Sequence, residues 1–140
     1  MVDFSQKIYI IDGAMGTEIQ KRKLDDSCFI YKGIFCDGFN DILCLTKPEI
    51  IGQIHADYLE AGADIIETNT FNANYISALD YGLSDDVIDS INYKAARIAK
   101  IQARKHDALV AGVLGPTSKT LSISPDVLDP AAREISYQEL

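Results

Sequence analysis

Four polar residues, Glu67, Thr68, Asn69 and Thr70, stand in a row directly after the apolar pair Ile65-Ile66. A carboxylate can hold an ammonium group or move a proton, and hydroxyls and an amide both donate and accept hydrogen bonds. A packed strand has no structural use for such a row at one end. Open α/β sheets and α/β barrels do, because they bind ligands at the carboxyl ends of parallel strands. A second cluster, Asp12-Gly13-Ala14-Met15-Gly16-Thr17, follows the apolar run Ile8-Tyr9-Ile10-Ile11. Its glycines permit tight or positive-φ backbone, so peptide N–H groups at the start of a following helix could face a ligand anion. It lacks the lysine of a phosphate loop and the third glycine of a dinucleotide loop, and a plain βα turn accounts for it equally well. A third apolar run, residues 108–114, ends in Gly115-Pro116-Thr117.

Other chemistries find little support. The 140 residues carry a net charge of −8, against the clustered cations that nucleic acid or an anionic membrane surface requires. Lys21-Arg22-Lys23 reads as a solvated helix end, its cations complementing the carbonyl terminus. No apolar run is long enough for a transmembrane helix, and residues 1–7 lack the pattern of a signal peptide, which makes the cytoplasm the expected location. Cys28, Cys36 and Cys44 include no CxxC pair and match no zinc spacing, so they are expected as free, partly buried thiols. His55, beside the apolar face of a helix, is expected to be a structural hydrogen bonder.

The elements that must position these residues alternate. Residues 7–11 read as a strand and 14–23 as a helix, followed by a long irregular connection over 25–45. Thr46-Lys47-Pro48-Glu49 has the form of a capping box with proline in the first turn, opening a helix with Ile50, Ile51, Ile54, Tyr58 and Leu59 on one face. Gly62 stops it before a second strand, residues 64–67. Residues 72–81 read as a short helix, closed by Gly82. Ser84 then caps a longer helix with Val87, Ile88, Ile91, Ala95 and Ile98 as its apolar stripe. Residues 108–114 form the third strand and 118–133 a second long loop. Ser136 to Leu140 read as the opening of another helix, cut off at Leu140. Strands apolar throughout are expected to be covered on both faces in a parallel sheet. Three βα units predict an α/β fold, either a small open sheet or the N-terminal portion of a (β/α)₈ TIM barrel, which typically needs about 250 residues.

The segments Asp12 to Thr17, Asn40-Asp41, Thr46 to Glu49, Ala61-Gly62-Ala63-Asp64-Ile65-Ile66-Glu67-Thr68-Asn69-Thr70-Phe71 and Ala111 to Thr117, in this order, resemble the homocysteine S-methyltransferase family. Ser122-Ile123-Ser124-Pro125-Asp126-Val127 with Asp129-Pro130 resembles its methionine synthase branch. The resemblance runs from about Ile8 to Leu140.

It implies a barrel that binds homocysteine and zinc, the metal holding the substrate sulfur as thiolate while methylcobalamin, ultimately charged from methyltetrahydrofolate, gives up its methyl group. A thiol of pKa about 8.5 is mostly protonated at neutral pH, so coordination supplies the nucleophile. The family's zinc cysteines come later in the barrel and are expected beyond Leu140. Cys28, Cys36 and Cys44 do not occupy their positions. What the resemblance carries over is part of a substrate pocket. Asp12 would pair with the ammonium, the N–H groups of Gly13, Ala14, Met15 and Gly16 would take the carboxylate, and Glu67, Thr68 and Asn69 would line the same rim, although Glu67 reads equally well as a carboxylate that supports a neighbouring group or caps a helix. Residues 1–140 are thus expected to be an incomplete homocysteine-binding domain. Alone it would bind neither zinc nor cobalamin and would be inactive, its partners being the remaining barrel half and the cobalamin and folate domains of the parent. The rival expectation is a non-catalytic module that self-associates through open sheet edges. An aldolase-type barrel lacks the lysine or phosphate site it would need.

Overall fold

The computed structural model describes residues 4–5 and 7–140. Residues 1–3 and 6, part of the stretch read as lacking a signal peptide, lie outside the described residues.

Helix α1 spans Met15–Lys21, with Ile19 as its buried residue. After it come a 3₁₀ turn, Asp26–Phe29, the two-residue strands β1 (Ile30–Tyr31) and β2 (Ile34–Phe35), paired antiparallel, and a second 3₁₀ turn, Asn40–Ile42. Helix α2, Leu43–Thr46, completes this stretch. The expected irregular connection over 25–45 is therefore an ordered part of the core. Cys36, Phe39, Ile42, Leu43 and Cys44 are fully buried there. Their apolar character has no helical or strand period, because short turns deliver them one at a time, and so it escapes a search for periodicity.

Helix α3 is Pro48–Glu60, with proline in its first turn as the sequence indicates. The expected capping box is absent. Lys47 occupies the cap position without a side-chain bond, while the Thr46 hydroxyl lies in α2 and donates to the Cys28 carbonyl at 2.6 Å. Gly62 ends the helix with φ +103°, a conformation that suits glycine. Strand β3 is Ile65–Glu67, α4 is Tyr75–Leu79, α5 is Asp85–Ala103 and β4 is Leu109–Ala111. The helix expected over 72–81 is thus shorter at both ends, with Asn74 as its cap, accepting from the Ser77 amide at 2.8 Å. Ser84 stands at the α5 cap position but makes no side-chain cap bond. The expected α5 stripe is right in phase. Ile88, Ile91 and Ala95 are buried, and Ala99 and Ala103 extend it.

β3 and β4 pair in parallel, Ile65 to Leu109 and Glu67 to Ala111. Residues 8–11 run beside β3 on its other side, in parallel, through a bridge at Ile11 and Ile65. The Ile10 carbonyl accepts from the Asp64 and Ile65 amides, and the Asp12 amide donates to Ile65 at 2.9 Å. The strand expected over 7–11 is thus present only as this single bridge with its flanking bonds: β3 and β4 form a two-stranded parallel sheet, residues 8–11 lie along the other edge of β3, and among the described residues no further strand joins either edge. Ile66 is sealed against Leu59 of α3 and Ala99 and Ala103 of α5. Elsewhere the expectation of two covered faces fails: Ile8 is 90% exposed, Ile10 59% and Leu114 99%. Helices cover one side of the sheet only. Residues 118–133 carry no helix or strand, as expected.

Residues 136–140, expected to open a helix, form a hydrogen-bonded turn and no assigned helix. The Leu140 amide donates to the Ser136 carbonyl at 3.1 Å, which closes that turn. Ser136 Oγ accepts from the Glu139 amide and Glu139 Oε2 from the Ser136 amide, a reciprocal capping box. No described helix is long and apolar enough to cross a membrane.

Candidate functional site

The first unit brings Asp12 to the carboxyl end of its segment, and its carboxylate turns toward β3. Both Oδ atoms accept from the Glu67 N–H, at 3.1 Å each. The end of the 8–11 segment and the end of β3 are therefore joined side chain to backbone. Around this joint lies a hollow of about 430 Å³, lined by Asp12, Gly13, Ala14, Met15 and Gly16 on one wall and by residues 67–72 on the other. Asn40, Asp41 and Val113 complete it. Glu67, Thr68 and Asn69 thus face the same space as the residues 12–16. Gly13 and Gly16 do not adopt positive φ. A Cβ at Gly13 would meet the Tyr58 hydroxyl at 3.5 Å and one at Gly16 the Asn40 amide at 3.6 Å, both ordinary contacts.

The hydroxyls of Thr68 and Thr70 have a structural task. Val113 N–H donates to Thr68 Oγ1 at 3.0 Å, and Thr70 Oγ1 donates to the Val113 carbonyl at 2.9 Å. Each hydroxyl has one proton, so the 2.7 Å contact between the two must run from Thr68 to Thr70. The result is a closed ring of three bonds that stitches the end of β3 to the residue two past β4. Asn69 is similarly engaged, its Nδ2 donating to the Asn40 carbonyl at 3.0 Å and lying 3.6 Å from Cys44 Sγ. Of the chain that follows β4, Val113 lines the hollow while Gly115-Pro116-Thr117 do not. Gly115 backs onto the Phe71 carbonyl so closely that a Cβ would overlap its oxygen.

Two carboxyls here are poorly solvated. Burial pushes Asp12 up to about 6; the Glu67 amide opposes this and the Glu67 charge adds to it. Burial raises Asp41 to about 6 as well, against the stabilising Asn72 amide. With Glu67 that makes three carboxyl groups around a hollow whose lining includes no lysine or arginine. Such a field favours a cationic ligand group. Asp41 and Asn72 line the hollow although nothing in their local sequence marks them as site residues. Asn40-Asp41 stood out as a motif, but its stretch was taken for a loop.

Among the described residues, no three of His, Cys, Asp and Glu come together as a metal-ligand set. The three cysteines are free and buried in separate turns. Burial lifts the Cys44 thiol to about 12, far from the thiolate that zinc requires. These residues do not fit a zinc centre. His55 is fully buried and neither ring nitrogen has a hydrogen-bond partner, so its expected bonding role is not met. Burial lowers its pKa to about 4.

Parallel βα units with polar groups gathered beyond the strand ends define part of a (β/α)₈ barrel with its ligand-binding rim. The family model for homocysteine S-methyltransferases matches residues 9–140, and the chain belongs to that family. Among solved structures, the metallated form of the homocysteine methyltransferase MmuM from Escherichia coli superposes with a TM-score of 0.64 at 22% identity, covering 81% of this chain and 40% of that one. The oxidized form of the same enzyme gives 0.64 at 24% identity, covering 81% and 39%. At this identity the likeness speaks to the fold. The chain spans about 40% of the length of these structures.

Proposed function

We propose that residues 1–140 form the first part of the homocysteine-binding domain of a methionine synthase, incomplete for catalysis by themselves. The observation that carries this reading is the forked bond from Glu67 N–H to Asp12, which draws the ends of the 8–11 segment and of β3 onto one acidic hollow in a chain of this family. Asp12 and Glu67 suit an ammonium group, and the peptide N–H groups of residues 13–16 suit a carboxylate. An α-amino acid presents both. On this reading the parent enzyme methylates the homocysteine sulfur, with methylcobalamin recharged from methyltetrahydrofolate as donor and zinc as the partner of the thiol. The zinc cysteines and the other barrel half are assigned beyond Leu140. The cobalamin and folate domains also fall outside residues 1–140, and the parent works in the cytoplasm.

A second reading is favoured by the bare sheet, with Ile8, Ile10 and Leu114 in solvent. It makes the chain a non-catalytic module that pairs with another copy.

An NMR titration of the ¹⁵N-labelled chain with L-homocysteine, then with zinc, tests the first reading. It expects weak, saturable shifts at residues 12–16 and 67–69 and no stoichiometric zinc binding. Tight zinc uptake by this chain, or homocysteine shifts confined to other surfaces, overturns it.

A further inference from the structure

Residues 68–72 supply much of the wall of the hollow but belong to no helix or strand. No ladder fixes such a segment, so its shape depends on individual bonds. The threonine ring ties it to Val113, and the Asn40 carbonyl holds the Asn69 side chain. A further tie comes from the core. Asp41 is 1% exposed, sits between the fully buried Phe39, Ile42, Leu43 and Cys44, and accepts from the Asn72 N–H through Oδ1 at 2.9 Å. A carboxylate in that position is costly to desolvate, and an apolar residue would satisfy the packing at lower cost. Packing therefore gives no reason for an acid here. The bond to Asn72 does.

We propose that Asp41 is a positioning residue of the substrate pocket. Its carboxylate anchors the Asn72 amide from below while the adjacent Asn40 carbonyl anchors Asn69, so that one pair of neighbours clamps both ends of the span 69–72. The clamp holds that wall at a set distance from Asp12 and Glu67, the groups assigned to the ammonium. This inference rests on the amino-acid reading of the hollow. Because Asp41 also lines the hollow, the competing account makes it a direct counter-charge to the ligand. The two differ at Asp41→Asn, which keeps an acceptor oxygen and loses the charge.

Amide exchange at Asn72 and L-homocysteine affinity, both read by NMR on the whole chain, separate them. In Asp41→Ala, Asn72 protection and homocysteine affinity are each expected to fall by about tenfold or more, the loss of one bond to a charged acceptor. The amides of Ile91 and Ala95 in α5 stay as protected as before. Asp41→Asn restores both readouts to within about threefold of the parent chain, a neutral acceptor being only somewhat weaker. Should Asp41→Ala fail to fold, Asp41→Ser, too short to reach, takes its place. An Asn72 amide unaffected by the truncated variant overturns the clamp. So does an Asp41→Asn chain that keeps Asn72 protected and still loses homocysteine as fully as the truncation. The exchange arm uses no ligand. A parent chain that shows no homocysteine shifts refutes the amino-acid reading, and Asn72 exchange still decides the clamp.

Discussion

Asp12 offers both oxygens to one backbone N–H of the neighbouring strand, and burial raises its pKa to about 6. A carboxyl of that kind is half neutral at pH 6 and gains its charge between about pH 5 and 7. Affinity for a cationic ligand group should therefore rise over that window, and Asp12→Asn should flatten the rise and weaken L-homocysteine binding by about tenfold at pH 7.5. Calorimetry or NMR titration at three pH values checks both. Asp12, Glu67, Thr68 and Asn69 could be picked out from the chain alone because polar groups that follow an apolar strand need another reason to be there. Thr68 and Asn69 do line the hollow, yet their side chains are engaged with Val113, Thr70 and Asn40. A strand-end rule indicates where a residue sits and is silent on which of its atoms remain free. Asp41 enters from a different stretch of chain, so no local pattern links it to Asn72.

At the scale of elements, the ring of Thr68, Thr70 and Val113 locks the ends of β3 and β4 in depth and register. Thr70→Val removes the donor to the Val113 carbonyl and the acceptor for Thr68. It is expected to cost about 1–3 kcal/mol in urea unfolding, the penalty for leaving buried polar groups unmatched. Gly115→Ala pushes a methyl into the Phe71 carbonyl and should cost a similar amount, about 1–3 kcal/mol by overpacking, with amide shifts concentrated at Phe71 and Asn72. In α3, His55 has a folded pKa of about 4 against 6.5 when exposed. The unfolded chain then binds the extra proton first. This contribution to stability is complete above about pH 6.5 and is lost as pH falls toward 4, by roughly 3 kcal/mol for that shift. His55→Leu should abolish that acid-side slope in thermal melts. The helices α3 and α5 were legible from their stripes, and the phase of both held. Their cap bonds were legible only in part: Ser84 does hold the α5 cap position, in extended backbone but without a side-chain bond, whereas Thr46 stands one residue before the α3 cap and gives its hydroxyl to Cys28.

Across the whole molecule, the alternation of strand and helix foretold a parallel sheet and its polar rim. It also suggested sheet faces covered on both sides, and there the chain misleads. A fully apolar strand reports the surroundings it is built for, and Ile8, Ile10 and Leu114 find solvent in this chain. Sedimentation velocity at rising concentration should show association, and charged replacements Ile8→Lys and Leu114→Glu should reduce it without lowering helical content. A concentration-independent monomer would remove the second functional reading. Among the described residues, β3 is flanked by residues 8–11 on one side and by β4 on the other, and these two segments form different open rims. If like rims meet about a two-fold axis, assembly stops at a pair. If the first rim of one copy docks on the β4 rim of the next, every addition regenerates both vacancies and growth never closes. Whether scattering levels off or climbs without limit thus reveals which rim seeks which.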